Sequence, residues 1–276
     1  MKSDQLLTKT AINVDDILVK RNRDKVSHSI FFMVIMALVL WSVNVTIIED
    51  TDWERMGSLG EVLASAGRFI GVDFSLIPNL LEPAIETFMI SCLGTLLGVI
   101  ICIPATWFGA LNITPFKPIT YPIGRFMMTI SRSIHEIVWA LFFVAVLGLG
   151  ALPGIFAIGV RSVGFIAKMS AEAIEDIKLG PIEAIRATGA NRFQVLLYAI
   201  LPQVIPQVIG VILFEWEINI RRSAILGLVG AGGLGLVFFR QMNTYNYHGV
   251  TTVILAILVI IIFGEIVSHF SRKRMI

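Results

Sequence analysis

Five long runs of this sequence contain no Asp, Glu, Lys or Arg, and they constrain the fold more than any other feature. A helix needs about 20 apolar residues to cross a bilayer, and each run is at least that long. The chain is 56% apolar and 15% charged, whereas soluble domains carry about 25% charged residues. The sequence therefore predicts an all-α integral membrane protein. The runs cover residues 27–48, 87–116, 137–160, 193–214 and 241–264.

A sixth span is predicted at residues 122–147, although this segment contains Arg125, Arg132, His135 and Glu136. No internal repeat is evident. The predicted organisation is an N-terminal arm (1–27), a first transmembrane helix (28–48), a periplasmic segment (49–83), a core (84–270) with a cytoplasmic loop (170–192), and a tail (271–276). The six predicted spans cover residues 28–48, 84–110, 122–147, 153–170, 193–218 and 250–270.

The distribution of Lys and Arg predicts the orientation. Six basic residues lie between positions 2 and 25 and three lie between positions 272 and 274, so both termini are expected in the cytoplasm. Residues 49–82 contain seven acidic residues and two arginines, which suits the outer side. The first apolar run lacks a cleavage-site pattern and is interpreted as a retained anchor. A multi-pass membrane protein with both termini in the cytoplasm is predicted.

Several other functions are disfavoured by the motifs. Cys92 and Cys102 are about 280° apart on one helix and are interpreted as small apolar fillers. The glycines of Gly230–Gly235 match G-x-G-x-x-G, but a dinucleotide site needs a preceding strand and a soluble βαβ unit. We expect these glycines to allow bent backbone and close helix approach instead. No phosphate-binding loop, metal-ligand spacing or nucleic-acid motif is present.

A short amphipathic block lies between two apolar runs on the predicted cytoplasmic side. Residues 170–179 are predicted to form a short helix that Gly180 ends in a left-handed conformation. Pro181 suits the first position of a second helix, which Gly189 ends, and Asn191 can cap the next. The pattern suits a docking element for a soluble partner, although an amphipathic connector on the membrane surface would look similar.

The same block resembles a known motif. The sequence Glu183-Ala184-Ile185, then Gly189 and Ala199-Ile200-Leu201-Pro202, is similar to the EAA loop of ABC importer permeases. Ile185 and Ala199 depart from that motif, while the spacing of Glu, Gly and Leu-Pro is kept. The resemblance implies a coupling helix that docks on a separate ATPase subunit through Glu183, Ala184, Arg186 and Gly189.

A narrower resemblance is to phosphonate-type permeases of the type I importer fold. The resemblance implies import of a phosphonate, phosphite or hypophosphite. The implied partners are a second permease subunit, identical or related, two ATP-binding subunits that hold ATP and Mg, a periplasmic binding protein and membrane lipid. No cofactor on this chain and no nucleic acid are implied. The glycine-rich Ser223–Gly235 resembles the small type I importer permeases, both methionine-type and phosphonate-type. The segments that carry the narrower match are Ser133–Glu136 with Phe142–Val144, Gly180–Asn191, Leu201–Pro206 and Phe214–Arg221. The resemblance also implies a bacterial inner membrane.

Ionisable residues inside the spans are functional candidates. Arg132 and Glu136 are four apart and could pair, with His135 beside them, and Glu217 could pair with Arg221. These residues could brace helices, or they could line an anion path, because arginine offers a fork of donors to an oxyanion. Arg222 could also supply attraction. The candidate path or gate residues are Arg132, His135, Glu136, Arg161, Glu217, Asn219, Arg221, Gly230, Gly232 and Gly233.

Three other functions remain open from the sequence. A methionine-type amino-acid importer would share the glycine-rich segment. A proton-coupled secondary transporter could use His135 and Glu136, but such folds usually contain inverted repeats. A membrane-embedded enzyme would need a nucleophile or metal-ligand cluster, and none accompanies these residues. The sequence favours a transport subunit that does no covalent chemistry itself.

Overall fold

The computed structural model describes residues 14–52 and 57–275, and all of their regular structure is helical. Within these ranges, five helices are long and apolar enough to cross a membrane, or six if one sharply bent pair forms a single span. This agrees with the predicted six-span, all-α fold. Residues 1–13, which carry part of the predicted arm, lie outside the described ranges.

The helices are numbered in chain order. The first, α1, begins at Val14, well before the predicted start at residue 28, and continues as a π-helix over Asn44–Glu49. The third begins at Ile77 rather than at residue 84. The bounds are α1 Val14–Val43, α2 Leu59–Gly67, α3 Ile77–Gly109, α4 Lys117–Ser133, α5 Glu136–Leu147, α6 Ala151–Glu175, α7 Leu179–Ala187, α8 Arg192–Val195, α9 Leu201–Leu226, α10 Gly233–Asn243 and α11 Tyr247–Met275.

The chain divides into two compact units, residues 1–65 and 66–276. In the first unit, α1 has exposed apolar side chains from Val26 to Val43, which suits a helix surrounded by lipid. The second unit contains α3 to α11 and the buried core. The candidate site lies in this second unit.

The core of the second unit is built on close contact between α3 and α6. A methyl group added to Gly94 would lie 2.7 Å from Ile158 Cγ2, and one added to Gly98 would lie 2.7 Å from Ser162 Cβ. Small residues let membrane helices approach closely, which maximises packing where lipid offers no hydrophobic driving force. Cys102 is buried, and both it and Cys92 are free thiols. The prediction that the cysteines do not pair is confirmed.

The span predicted at residues 122–147 is not one straight helix, because two helices meet there at 86°. Ile134 and His135 have extended backbone, so α4 ends at Ser133 and α5 begins at Glu136. His135 Nδ1 accepts a hydrogen bond from the Ile137 amide at 3.3 Å and so caps α5. Ser131 Oγ donates to the Val160 carbonyl at 2.5 Å, which ties the end of α4 to α6.

The predicted separate helix at residues 170–179 is also wrong, because α6 continues unbroken to Glu175. The Glu175 carboxylate accepts hydrogen bonds from Arg125 at 2.8 Å and from the Leu111 amide at 2.9 Å. These contacts hold the end of α6 against the connection between α3 and α4. Gly180 lies inside α7 without a left-handed conformation, so it does not end a helix.

Candidate functional site

A buried polar cluster joins the middles of α3, α6 and α9. Asn219 Nδ2 donates to Thr95 Oγ1 at 2.9 Å and to Ser162 Oγ at 2.8 Å. Ser162 Oγ in turn donates to Glu215 Oε1 at 3.2 Å. These four side chains are almost completely buried. Satisfied polar contacts in an apolar core fix the register of the helices that carry them.

Two arginines connect this cluster to the helix break. Arg222 Nη1 lies 2.7 Å from Glu215 Oε1, and Arg222 Nε lies 3.3 Å from Glu136 Oε1. Arg161 Nε lies 3.7 Å from Glu136 Oε2. The side chain of Glu215 is fully buried, whereas those of Glu136, Arg161 and Arg222 keep 12%, 19% and 16% exposure. Side-chain exposure therefore increases from the fully buried Glu215 to a partly open edge formed by Glu136, Arg161 and Arg222.

The predicted ion pair between Arg132 and Glu136 is wrong. The helix breaks between these positions, so the four-residue spacing no longer places them on one helix face. Glu136 instead contacts Arg161, for which the sequence offered no local partner. Arg132 is exposed, and within the described ranges it forms no ion pair. His135 is 65% exposed, and its Nε2 lies 3.7 Å from Glu136 Oε1.

The predicted pair of Glu217 and Arg221 is confirmed, with Arg221 Nη2 at 2.9 Å from Glu217 Oε1. The structure adds a second arginine from α11, because Arg272 Nη2 lies 2.5 Å from Glu217 Oε2. Arg272 also donates to Ser268 Oγ at 2.9 Å. Glu217 therefore contacts two cations, one from its own helix and one from α11, and so ties α9 to α11. Asn219, predicted to lie between this pair, faces the buried cluster instead.

The glycine-rich segment forms a turn of left-handed backbone. Gly230, Gly232 and Gly233 have φ angles of +89°, +80° and +69°. The Gly233 amide donates to Glu86 Oε2 at 2.9 Å, and the Leu234 amide donates to Thr87 Oγ1 at 2.8 Å. The described ranges contain no β-strand, which agrees with the rejection of a dinucleotide fold. The two hydrogen bonds to Glu86 and Thr87 hold the start of α10 against α3.

The predicted docking residues lie on α7 and just after its end. Glu183, Ala184, Arg186 and Gly189 are exposed, while Ile182 is buried and anchors the helix. Gly189 has a φ of +81° and ends this segment as predicted. The Asn191 side chain accepts from the Gln194 amide at 2.9 Å, and Gln194 Oε1 accepts from the Asn191 amide at 2.8 Å. This reciprocal capping confirms the predicted start of the next helix.

Sequence analysis missed several residues of the site. Glu215, Ser162 and Thr95 lie in the buried cluster, and Glu86 and Thr87 hold the glycine-rich turn. Glu86 is one of the few carboxylates near a predicted span, and this could have marked it. The partners of Ser162 and Thr95 come from distant helices, so no local pattern could have identified them.

One protein family matches about two thirds of the chain. Residues 94–276 match the family described as "Binding-protein-dependent transport system inner membrane component". The chain belongs to this family and is a multi-pass inner-membrane permease of an ABC transport system. It therefore operates with other components of that system, such as an ATPase and a substrate-binding protein. The predictions of a transport subunit and of ATP hydrolysis on a separate chain agree with the relatives, which are permeases.

Individual relatives indicate which kinds of permease this chain is similar to. The chain is 37% identical over 219 residues to the phosphite transport system permease protein PtxC of Stutzerimonas stutzeri, covering 79% of each chain. It is 32% identical over 242 residues to the phosphate-import permease protein PhnE of Mycolicibacterium smegmatis, covering 88% of this chain and 44% of that protein. A crystal form of the inward-facing MetNI methionine ABC transporter shares the fold, with 24% identity, a TM-score of 0.64, and coverage of 74% of this chain and 100% of the other.

Proposed function

We propose that this chain imports a small phosphorus oxyanion, namely phosphite, hypophosphite or a phosphonate, as the permease of an ATP-driven importer. The observation that carries the proposal is the match to a phosphite permease over 79% of both chains. The relative named for phosphate import belongs to the same chemical class. The likeness to the methionine transporter is at 24% identity and concerns the fold alone.

The proposed complex contains two permease subunits, two ATP-binding subunits that hold ATP and Mg, and one periplasmic binding protein that delivers the oxyanion. No cofactor is assigned to this chain. The exposed residues of α7 suit the docking role, because the buried Ile182 fixes the helix while Glu183 and Arg186 stay exposed. ATP-driven closure of the ATPase pair would then tilt α7 together with the spans on either side of it.

The proposed path or gate combines the intramembrane charges with the glycine-rich turn. Arg161 and Arg222 lie at the partly open edge of the polar cluster and could donate hydrogen bonds to an oxyanion as it sheds water. Glu215 keeps the lining partly neutral, so that an anion is not trapped. Arg132 and His135 extend this edge toward the helix break. Glu217 and Arg221, with Gly230, Gly232 and Gly233, would move with α9 and α10.

The experiment is ATP-dependent uptake by the complex reconstituted in proteoliposomes with its ATPase and its binding protein. Uptake of phosphite, hypophosphite and methylphosphonate is compared, with methionine as the contrasting substrate. At least one phosphorus oxyanion should stimulate both uptake and ATP hydrolysis. Uptake of methionine alone, or uptake driven by a proton gradient without ATP, would show that the proposal is wrong.

The coupling role of α7 has its own variants. Glu183→Lys and Gly189→Ala should abolish stimulated ATP hydrolysis while leaving the purified permease dimer intact. Gly189→Ala strains a backbone at φ +81° where no atom lies near the new methyl group, so its effect would arise from the loop conformation. Gly180→Ala, which meets no atom and has no positive φ, is the matched control. Normal stimulation in Glu183→Lys and Gly189→Ala would exclude docking through this face.

A further inference from the structure

The Glu136 carboxylate lies between Arg161 and Arg222, which come from two different helices. Its two oxygens lie 3.7 Å from Arg161 Nε and 3.3 Å from Arg222 Nε. We propose that Glu136 is an internal substitute for the transported oxyanion, which displaces this carboxylate from the two arginines during passage. The inference rests on the proposed function, because it assumes that an oxyanion passes through this subunit.

The contacts of Glu136 are loose enough to be exchanged. A charge-assisted hydrogen bond from a guanidinium to a carboxylate is about 2.7–2.9 Å long. Arg222 reaches Glu215 at 2.7 Å, whereas both contacts of Glu136 are longer than that range. Arg161 Nη1 is buried and has no hydrogen-bond partner among the described residues. An incoming anion can therefore accept a hydrogen bond from Arg161 Nη1 and replace the loosely held carboxylate of Glu136.

The position of Glu136 in the chain also allows it to move. Glu136 is the first residue of α5, directly after the extended residues Ile134 and His135 at the 86° bend. Arg161 lies inside α6, and Arg222 lies inside α9 with its Nη1 held by Glu215. A change in the bend angle would therefore withdraw the carboxylate while the two arginines stay in place.

The charges explain why an anion must replace the carboxylate. Uncompensated arginine is costly inside a membrane, so the arginines cannot be left without a counter-charge. Glu215 is fully buried, and its single negative charge, which contacts Arg222, cannot balance both arginines. A methyl group on Gly164 would lie 2.7 Å from Arg132 Cγ, so Arg132 packs against α6 near Arg161 and adds a further positive charge. With Glu136 withdrawn, Arg161 and Arg222 share one carboxylate and Arg132 adds positive charge nearby, which suits a singly or doubly charged tetrahedral oxyanion.

Direct anion binding tests the inference. The permease–ATPase complex is placed in nanodiscs without its binding protein and in a chloride-free buffer. Phosphite, methylphosphonate and inorganic phosphate are titrated by calorimetry. Glu136→Gln removes the competing charge and should tighten binding by about tenfold, or about 1.4 kcal/mol. Arg161→Gln should abolish binding. Glu172→Gln is the matched control, because it also removes the carboxylate of an ion pair. Glu172 lies 3.5 Å from Lys168 within α6, and this variant should bind anions as the wild type does.

Transport kinetics separate this role from a purely structural one. In Glu136→Gln, both the KM and the maximal rate of uptake should fall, because an anion that no carboxylate displaces is held longer. A structural brace would lower the rate without tightening binding. If the Glu136→Gln complex fails to assemble, Glu136→Asp is measured instead. Its shorter side chain competes less for the two arginines, so this variant should also bind oxyanions more tightly than the wild type. Binding by these variants that is no tighter than wild type would overturn the inference.

The two proposals fail in different ways. ATP-dependent oxyanion uptake by the wild type, together with no gain of anion binding in the Glu136 variants, would reject the internal substitute and keep the importer. Tighter binding in Glu136→Gln without uptake of any phosphorus oxyanion by the wild type would reject the proposed substrate class. In that case the displacement of Glu136 by anions would still stand.

Discussion

At the residue scale, Gly233 combines two reasons to be glycine. Its φ is +69°, which residues with a side chain rarely adopt, and a methyl group there would lie 2.4 Å from Thr87 Oγ1. Thr87 cannot move freely, because its hydroxyl accepts from the Leu234 amide. Gly233→Ala should therefore lower the free energy of unfolding by more than the roughly 1 kcal/mol expected for backbone strain alone. The melting temperature of the detergent-solubilised permease measures this.

Two other glycines separate strain from collision. Gly148 has a φ of +87° with no atom within 4 Å of the added methyl group, so Gly148→Ala reports strain alone. Gly180→Ala introduces neither effect. Gly180→Ala should have the highest melting temperature of the three variants, Gly148→Ala a lower one and Gly233→Ala the lowest. An equal loss at Gly148 and Gly233 would mean that the contact with Thr87 is unimportant.

Asp73 gives a pH dependence at the residue scale. The pKa of this carboxyl lies below its ordinary value, chiefly because Ser75 Oγ donates a hydrogen bond to it. The ionised form stabilises the turn before α3, so this stabilisation is complete above the ordinary pKa of 3.8 and is lost as the pH falls through the lowered value. In Asp73→Asn, the melting temperature should fall less than in the wild type as the pH drops below about 4. In Ser75→Ala, this acid-dependent fall should also be smaller. An unchanged acid profile in Asp73→Asn would contradict this assignment.

At the element scale, Glu217 forms an ion pair between α9 and α11. It pairs with Arg221 on its own helix and with Arg272 on α11. Removing one partner from a largely buried ion network leaves the others uncompensated, which costs roughly 3 kcal/mol at full burial and less here because the arginines are partly exposed. Glu217→Gln should lower the melting temperature more than Arg221→Gln, since the latter leaves Glu217 paired with Arg272. Equal effects would show that α9 and α11 are held together by packing alone.

The elements also show where sequence reasoning succeeded. The spacing of Glu217 and Arg221 predicted a real pair because α9 is continuous through both positions. The same spacing failed for Arg132 and Glu136, because α4 and α5 are separate helices. Apolar runs reveal where a chain crosses a membrane, but they do not reveal a bend that tertiary contacts support. Ser131 makes such a contact with the Val160 carbonyl, and its partner is distant in sequence.

At the scale of the whole molecule, the capping and docking features near α7 followed from local sequence, whereas the buried cluster did not. Gly189 and Asn191 act within one turn of their own positions, so their roles can be predicted from neighbours. The cluster of Glu215, Ser162 and Thr95 needs three helices to be packed first. Its members therefore appeared in the sequence as isolated polar residues inside predicted spans.

The orientation of the molecule is the last prediction. The helix α3 has 33 residues, so it is about 50 Å long and exceeds the roughly 30 Å hydrocarbon core. Its two ends must therefore lie on opposite sides of the membrane. Basic residues occur near α7 and near both ends of the sequence, which predicts that each of these segments faces the cytoplasm. Ile70, before α3, should then face the outside, and Leu179, at the start of α7, should face the inside.

Cysteine labelling tests this orientation because both positions are well exposed, at 82% for Ile70 and 65% for Leu179. In a background with Cys92→Ala and Cys102→Ala, a membrane-impermeant maleimide should label the Ile70→Cys variant in intact spheroplasts. The Leu179→Cys variant should react only after permeabilisation. The reverse pattern would place α7 outside the cell, where no ATPase could reach it. That result would contradict both the proposed orientation and the proposed coupling, since the two depend on the same face being cytoplasmic.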